Sequence, residues 1–306
     1  MDYIAFNVII DDIVFPDGRT QMGVLGGGGP QAAFGMRLWS ESVALVAAVG
    51  SDLPQAVKAD LEALEISLDG LYDLGFPTPR AWQVMEEDGR RTEIWRLSPD
   101  AIKASLDCPW TRIPAALQKA KAYHICLEPF KPAFTILNDV HLDGSMISAE
   151  TSELSNRRVT QDELRAFLAE LDVFSPNISE AESLLGPAAP QHLIAQFIDA
   201  GAACVALRMG EKGSLVADAR TRQLVHIPAV PTTVVDPIGA GNAFCGGFLV
   251  GWREAGDLQT AGLYGAVSAS FLVEQIGLPS FSQDVCKEAQ RRFKQHRSRL
   301  EIYALP

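Results

Sequence analysis

Short, almost continuously apolar runs recur along this 306-residue chain, and helix-like patterns separate them. The runs end at turn residues and do not alternate between polar and apolar positions, which is typical of parallel strands buried on both faces. The runs are Val43–Val49, Ala122–Leu127, Met146–Ser148, Leu171–Phe174 and Cys204–Leu207. The helix-like segments are Gln31–Trp39, Leu53–Leu64, Pro114–Ala120, Gln161–Glu170 and His192–Ala200. Strand alternating with helix predicts a doubly wound α/β fold with a mainly parallel sheet.

One region departs from this alternation. Ala81–Met85 and Arg91–Trp95 alternate in character on either side of an Asp-Gly pair, and this pattern predicts an antiparallel hairpin. A hairpin of this kind inside a parallel α/β chain is an insertion that either covers a site as a lid or decorates a sheet edge. Because α/β domains often exceed the usual ~100–200 residues, we expect one domain over residues 1–306.

The composition restricts the partners and the compartment. With 26 Lys and Arg against 38 Asp and Glu, the net charge is −12, so we expect neither a nucleic-acid partner nor an anionic membrane surface. The opening residues Met1–Asp12 read as a strand and lack the basic start of a signal peptide. The five cysteines show no CxxC spacing, which argues against a zinc knuckle or a disulfide framework. We therefore expect a cytoplasmic protein.

The most informative glycine cluster is Val235–Phe244, which precedes the helix-like segment Ala243–Glu254. Small residues before a helix allow backbone N–H groups to converge on an anion, and the helix N-terminus adds partial positive charge. A tight turn that uses glycine only for its geometry is the alternative. Phe244 stands where a dinucleotide fingerprint needs glycine, and the chain has no GxxxxGK[ST] loop.

Five segments, in order, resemble the motifs of the PfkB family of carbohydrate and nucleoside kinases. Gly26–Ala33 is similar to GGxxxNxA with Gln31 in place of Asn, Val49–Asp52 to VGxD, Asn177–Glu180 to NxxE, Arg208–Gly213 to TxGxxG, and Asp236–Asn242 to DTxGAGD. The resemblance covers nearly the whole chain. It implies a ribokinase-like three-layer α/β sandwich with a mainly parallel central sheet and a small β lid. The lid would come from residues 8–25 and 77–98.

The resemblance also implies a phosphotransferase that uses ATP and Mg²⁺ on a small sugar, polyol or nucleoside, as a monomer or homodimer. It assigns an anion hole to Gly239, Ala240 and Gly241 beside Asn242, and substrate contacts to Asp11, Gly27, Gly28 and Gln31. It assigns nucleotide contacts to Asn177, Arg208, Gly210 and Gly213. Glu180 would organise Mg²⁺ through water. Because Asp12 adjoins Asp11, the substrate-binding aspartate could be either residue.

Asn242 departs from the family pattern, which has the catalytic base at this position. A neutral amide cannot accept the proton of the attacking hydroxyl near pH 7. General-base assistance is worth roughly 10²–10⁴ in rate, so we expect weak or altered catalysis. Phosphoryl transfer depends mainly on positioning and charge neutralisation, so the phosphate site should persist.

Three explanations of Asn242 stay open. The chain could be a kinase whose base comes from elsewhere, with Asp236, Asp11 or Asp12 as candidates. It could instead be a pseudokinase that binds nucleotide or sugar as a sensor or interaction protein. It could also be an engineered inactive variant, although the second departure at Gln31 argues against this. The sequence does not decide between a sugar and a nucleoside as the acceptor.

Overall fold

A ten-stranded sheet with the strand order β14-β13-β12-β11-β10-β9-β8-β1-β4-β5 forms the centre of the molecule. The computed structural model describes residues 1–87, 91–106, 108–127, 140, 144–151, 158–297 and 300–305. Its strands are β1 (Tyr3–Phe6), β2 (Ile9–Val14), β3 (Thr20–Gly26), β4 (Val43–Ala48), β5 (Ser67–Tyr72), β6 (Arg80–Met85), β7 (Arg91–Trp95), β8 (Ala122–Leu127), β9 (Met146–Thr151), β10 (Val173–Phe174), β11 (Cys204–Arg208), β12 (Ser214–Asp218), β13 (Gln223–Ile227) and β14 (Glu301–Ala304). In this strand order, all neighbouring strands between β5 and β11 pair in parallel, and those between β11 and β14 pair antiparallel. This confirms the mainly parallel sheet.

Helices cover both faces of this sheet. They are α1 (Gly28–Arg37), α2 (Gln55–Glu62), α3 (Pro99–Leu106), α4 (Gln161–Leu168), α5 (Ile178–Leu185), α6 (Pro190–Asp199), α7 (Ala240–Ala255), α8 (Leu258–Leu272) and α9 (Gln283–His296). Tyr3 and Ala5 of β1 belong to the apolar core that contains α1, α7 and α8, whereas Ile4 and Phe6 belong to the core with α4, α5 and α6. This alternation gives the three layers expected. Within the described ranges, no helix is long and apolar enough to span a bilayer.

Two local predictions are wrong. The single strand expected over the first twelve residues is divided between β1 and β2, because Asn7 takes a positive φ of 77°. The helix expected over Pro114–Ala120 is a series of turns. In these turns the Leu117 carbonyl accepts a hydrogen bond from the Tyr123 hydroxyl at 3.0 Å, so a tertiary contact takes an acceptor that a helix would use.

A second, four-stranded sheet has the order β3-β2-β6-β7. It is built from the two segments in which we expected a lid. The predicted hairpin is antiparallel, with Ala81 opposite Trp95 and Met85 opposite Arg91, which confirms its pairing. The Asp-Gly pair at its turn lies outside the described residues. Strand β2 joins the two hairpins by pairing parallel to β6 and antiparallel to β3.

Helices α1 and α7 approach each other through glycine. A Cβ atom on Gly35 would lie 2.1 Å from the carbonyl oxygen of Ala243, and one on Gly246 would lie 2.0 Å from that of Ala32. Both distances are far inside van der Waals contact, so these positions exclude any side chain without movement of a helix. The close approach brings the first residues of α1 and α7 together at one edge of the sheet, as the contact between Gly28 and the Asn242 side chain shows.

This packing makes Gly246 a sensitive position. Alanine ordinarily stabilises a helix interior by about 1 kcal/mol relative to glycine, but here it should lower the free energy of unfolding by about 1–3 kcal/mol through overpacking. Chemical denaturation of Gly246→Ala checks this. Arg253→Ala, an exposed position on the same helix, is the control and should change that energy by less than about 0.5 kcal/mol. Wild-type stability of Gly246→Ala would contradict the packing argument.

Candidate active site

A cleft of about 2310 Å³ lies between the second sheet and one edge of the main sheet. Every residue to which the family resemblance gave a site role lines it: Asp11, Gly27, Gly28, Gln31, Asn177, Glu180, Arg208, Gly210, Gly213, Gly239, Ala240, Gly241 and Asn242. Of the other candidate bases, Asp12 and Asp236 are not among the lining residues. Loops at the carboxyl ends of parallel strands meet at one sheet edge, which is where ligands bind in open α/β sheets. The fold therefore brings the predicted residues together, while their individual roles stay predictions.

The glycine loop before α7 forms one wall of the cleft. Gly239 is the N-cap residue of α7 and takes a left-handed conformation with a φ of 79°. A Cβ on Gly239 would lie 2.7 Å from the side-chain carbons Cγ and Cδ of Gln31, so Gln31 packs directly against the loop. The first backbone N–H groups of a helix have no acceptor within the helix and carry the positive end of its dipole. This wall can therefore bind an anion.

A capping box forms the neighbouring wall at the start of α5. The backbone N–H of Glu180 donates to Asn177 Oδ1 at 2.9 Å, and the backbone N–H of Asn177 donates to Glu180 Oε2 at 2.8 Å. Asn177 Nδ2 also donates to Glu180 Oε1 at 2.6 Å. Both oxygens of the Glu180 carboxylate are thus engaged. The NxxE spacing has a structural cause here, because a capping box requires an acceptor at the N-cap and a carboxylate three residues later.

Arg208 reaches from the end of β11 into the middle of the cleft. Its Nη2 atom lies 2.8 Å from Glu150 Oε2 and 3.3 Å from Glu180 Oε2. The same nitrogen donates to the Ser175 carbonyl at 2.8 Å. A Cβ on Gly241 would lie 2.0 Å from Arg208 Nη1, so the guanidinium also lies against the glycine loop.

Glu150, at the end of β9, is the central residue of the site and was not identified from the sequence. Its carboxylate accepts a hydrogen bond from Asn242 Nδ2 at 2.6 Å and lies 3.3 Å from His124 Nε2. Burial by itself raises the pKa of Glu150, but Arg208, His124 and Cys126 more than offset this and lower it to about 2. Glu150 is therefore ionised at neutral pH. A carboxylate at the end of a buried parallel strand was the available sequence signal.

Hydrogen-bond acceptors for a second ligand lie in the cleft beneath the four-stranded sheet. Gln83, which is buried, donates through Nε2 to Asp11 Oδ1 at 2.9 Å and to Glu93 Oε1 at 2.8 Å. Among the described residues its own Oε1 atom has no hydrogen-bond partner. Gly26 leaves room for the Asp11 carboxylate, since a Cβ there would lie 1.9 Å from Oδ2. A ligand rich in hydroxyl or amino donors suits this end of the cleft.

The Asp12 side chain makes its contacts within and beside the second sheet and does not line the cleft. It is fully buried and accepts hydrogen bonds from Arg80 at 2.7 Å, from the Gly23 amide at 2.9 Å and from Arg96. Burial raises the pKa of Asp12, but these donors hold it below its usual value. Asp12 is not among the residues that line the cleft, whereas Asp11 is. The geometry therefore separates two aspartates that the sequence left ambiguous.

Comparison with known proteins agrees with this arrangement. The model of the pfkB family carbohydrate kinases matches residues 10–284. The chain belongs to the PfkB family. Membership supports phosphotransferase activity, and it confirms the resemblance drawn from the motifs.

Among the relatives of this PfkB chain is a protein named cytidine kinase from Thermococcus kodakarensis. The two are 30% identical over 260 residues, which cover 83% of this chain and 88% of the relative. The structure of a nucleoside kinase from Methanocaldococcus jannaschii, an archaeal member of the ribokinase family, matches with a TM-score of 0.68 at 22% identity, covering 97% and 99% of the two chains. The structure of Arabidopsis thaliana ribokinase with ribose and ATP matches with a TM-score of 0.73 at 18% identity, covering 96% and 98%. These structures confirm the ribokinase-like fold.

The role of Glu180 in organising Mg²⁺ stays a prediction. Mg²⁺ binds oxygen ligands in near-ideal octahedral geometry. Here both Glu180 oxygens accept hydrogen bonds from Asn177, and the Arg208 guanidinium lies 3.3 Å away. Burial raises the pKa of Glu180, although Arg208 opposes this. The arrangement does not fit a directly coordinated ion at this carboxylate.

The two adjacent aspartates provide a matched pair of variants. Asp12→Asn should lower the free energy of unfolding by about 1.5–3 kcal/mol, because it removes charge-assisted hydrogen bonds to two arginines. Asp11→Asn should leave that energy nearly unchanged and weaken binding of the phosphate acceptor about tenfold, the effect of one hydrogen bond of about 1.4 kcal/mol. Thermal unfolding and acceptor titrations measure both quantities. The reverse pattern would assign the acceptor contact to Asp12.

Proposed function

We propose that this chain is an ATP-dependent kinase that transfers the γ-phosphate to a hydroxyl of a nucleoside. The observation that carries the proposal is that one cleft is lined at one end by the anion-binding loop Gly239–Asn242 and at the other by the hydrogen-bonded pair of Asp11 and Gln83. A phosphoryl-transfer site requires a donor phosphate and an acceptor hydroxyl held in line.

The nucleotide end of the cleft combines polar and apolar groups. Asn177, Arg208, Gly210 and Gly213 line the same cleft as the glycine loop, as expected for contacts to a nucleotide. A strip of apolar and small residues continues from them along the same cleft and suits the adenine ring and ribose: Ala229, Val230, Pro231, Thr232, Val234, Ala266, Ala269 and Val273. In ATP binding, the amides of the first turn of α7 and the Arg208 guanidinium would meet the phosphate charge.

An apolar wall beside Asp11 supports a nucleoside over a simple sugar. Trp95, Leu97, Ile102 and Leu106 line the cleft next to the Asp11–Gln83 pair. A ribose can use the polar pair, whereas only a ligand with a flat apolar part gains from the wall, because base–aromatic stacking requires a π face. The relatives named cytidine kinase and nucleoside kinase support the same choice. The second sheet, which supplies Gln83 and Trp95, would act as the lid.

Glu150 resolves the chemical problem posed by Asn242. The amide cannot act as a base, but an ionised carboxylate lies 2.6 Å from it. We assign proton acceptance to Glu150 and positioning of the acceptor hydroxyl to Asn242. The other candidate bases are less suited, because Asp12 is paired with two arginines and Asp236 does not line the cleft. Asp11 is also less suited, because it lies at the end of the cleft opposite to the loop that would hold the phosphate.

A second candidate function is a non-catalytic protein that binds nucleotide or nucleoside. The low pKa of Glu150, about 2, favours it, because a carboxylate paired with Arg208 is a weak base. Weak basicity reduces general-base assistance but leaves the positioning and charge neutralisation on which loose phosphoryl transfer mainly depends. Kinase activity is therefore the primary proposal.

Glu150→Gln tests the assignment of the base. The substitution keeps the side-chain size and removes the proton acceptor, so kcat should fall, by no more than the roughly 10²–10⁴ of a general base and by less if the low pKa of Glu150 weakens its assistance. The measurement uses Mg-ATP and a panel of nucleosides and sugars. Asn242→Asp alone is a poor test, because two carboxylates 2.6 Å apart share one proton. The double variant Glu150→Gln/Asn242→Asp moves the single carboxylate to position 242 and should recover activity lost in Glu150→Gln.

Two results would contradict this assignment. Full activity in Glu150→Gln would exclude Glu150 as the base. Wild-type transfer no higher than a protein-free blank with every acceptor, together with a nucleotide-induced rise in melting temperature, would leave the binding protein as the function.

The two tryptophans of the hairpin test the acceptor class. Trp95 lines the cleft and Trp82, on the paired strand, does not. Trp95→Ala should raise KM for a nucleoside about tenfold or more, since stacking on a base contributes about 1–3 kcal/mol, and should change KM for a free sugar little. Trp82→Ala is the control and should leave both constants near wild type. Equal effects of Trp95→Ala on nucleoside and sugar would contradict the stacking role.

A further inference from the structure

Arg208 lies where three parts of the phosphate site meet. Its Nη2 atom contacts Glu150 of β9 at 2.8 Å and Glu180 of α5 at 3.3 Å, and its Nη1 atom lies against Gly241 of the glycine loop. The family motif that Arg208–Gly213 resembles has threonine at the first position, so this guanidinium is an addition to the pattern. Its side chain is only 11% exposed.

One donor of this guanidinium has no acceptor. Among the described residues, the buried Arg208 Nε atom makes no hydrogen bond. A buried polar group without a partner carries a desolvation cost, and an arginine N–H in an anion-binding cleft is satisfied by a phosphate oxygen. The Gly241 contact puts the guanidinium beside the first turn of α7, whose amides also favour an anion. The Arg208 guanidinium, which lines the cleft beside these amides, is therefore placed to bind a phosphate.

The same guanidinium opposes a metal ion. A divalent cation near Glu150 and Glu180 would have to compete with a resident positive charge that already contacts both carboxylates. Glu180 is further engaged by Asn177 through both of its oxygens. Arg208 is therefore itself one of the cations of this site. The site thus holds a fixed positive charge between the carboxylates of Glu150 and Glu180.

We propose that Arg208 is the resident cation of the phosphate site, and that the chain binds the polyphosphate of a nucleotide without requiring a divalent metal. The inference rests on the proposed function, because it concerns the same nucleotide site. It goes further because it assigns to Arg208 the neutralisation of the phosphate charge when a nucleotide binds. Lysine at this position would keep the charge, whereas glutamine would keep only some of the hydrogen-bonding capacity.

The test is a measurement of ADP and ATP affinity by isothermal titration calorimetry, once in excess EDTA and once in excess Mg²⁺. Wild type should bind each nucleotide in EDTA within about threefold of its affinity in Mg²⁺, a difference well below one hydrogen bond to a charged group. Arg208→Gln should lose about 10–100-fold in affinity in EDTA, the effect of about 1.5–3 kcal/mol. Added Mg²⁺ should restore part of this loss, and Arg208→Lys, which keeps the charge but not the planar set of donors, should lose less affinity in EDTA than Arg208→Gln.

Arg253→Gln, at an exposed position of α7, is the control for net charge and should bind like wild type. Wild-type binding in EDTA tests the proposal even if Arg208→Gln fails to fold. Binding at least about tenfold tighter in Mg²⁺ than in EDTA, a difference of about 1.4 kcal/mol, overturns the resident-cation proposal and leaves the kinase proposal standing. No binding of either nucleotide in either condition overturns both.

Discussion

The buried ion pair between Glu150 and Arg208 connects the parts of the site that come from distant places in the chain. Glu150 is the penultimate residue of β9 and Arg208 is the last residue of β11, with β10 between the two strands in the sheet. Through Asn242 the pair reaches α7, and through Glu180 it reaches α5. Two charges in a dry interior are retained only when each finds a partner, and removing one member of such a pair typically costs about 3–5 kcal/mol. The pair therefore fixes the relative positions of four elements.

Close helix packing places the anion-binding amides beside this pair. Helices α1 and α7 can touch because Gly35 and Gly246 carry no side chains at their contacts. The approach brings Gly28, at the start of α1, against the side chain of Asn242. Two helix N-termini then face one cleft, and their combined partial charge favours an anion there. The carboxylates of Glu150 and Glu180 would oppose that anion, and the Arg208 guanidinium offsets them.

Much of the fold and thirteen of the residues that line the candidate cleft were predicted from the sequence. Apolar runs without alternation predicted the parallel strands, because strands covered on both faces have no polar side. The resemblance to the family motifs predicted these cleft residues, and the fold brings them together because loops at the same ends of parallel strands meet. The break at Asn7 and the turns over Pro114–Ala120 were missed because tertiary contacts decide them. Glu150 was missed because its importance comes from Arg208, His124 and Asn242, which the fold brings to it.

The Asn242 substitution has a different meaning once these contacts are known. With an aspartate at position 242, two carboxylates would lie 2.6 Å apart in a buried site and could not both be ionised. The amide removes this repulsion and donates a hydrogen bond to Glu150 instead. Arg208 lowers the pKa of Glu150, so the carboxylate beside Asn242 stays ionised. Asn242, Glu150 and Arg208 thus form one electrostatic unit, in which two departures from the family pattern, Asn242 and Arg208, both contact Glu150.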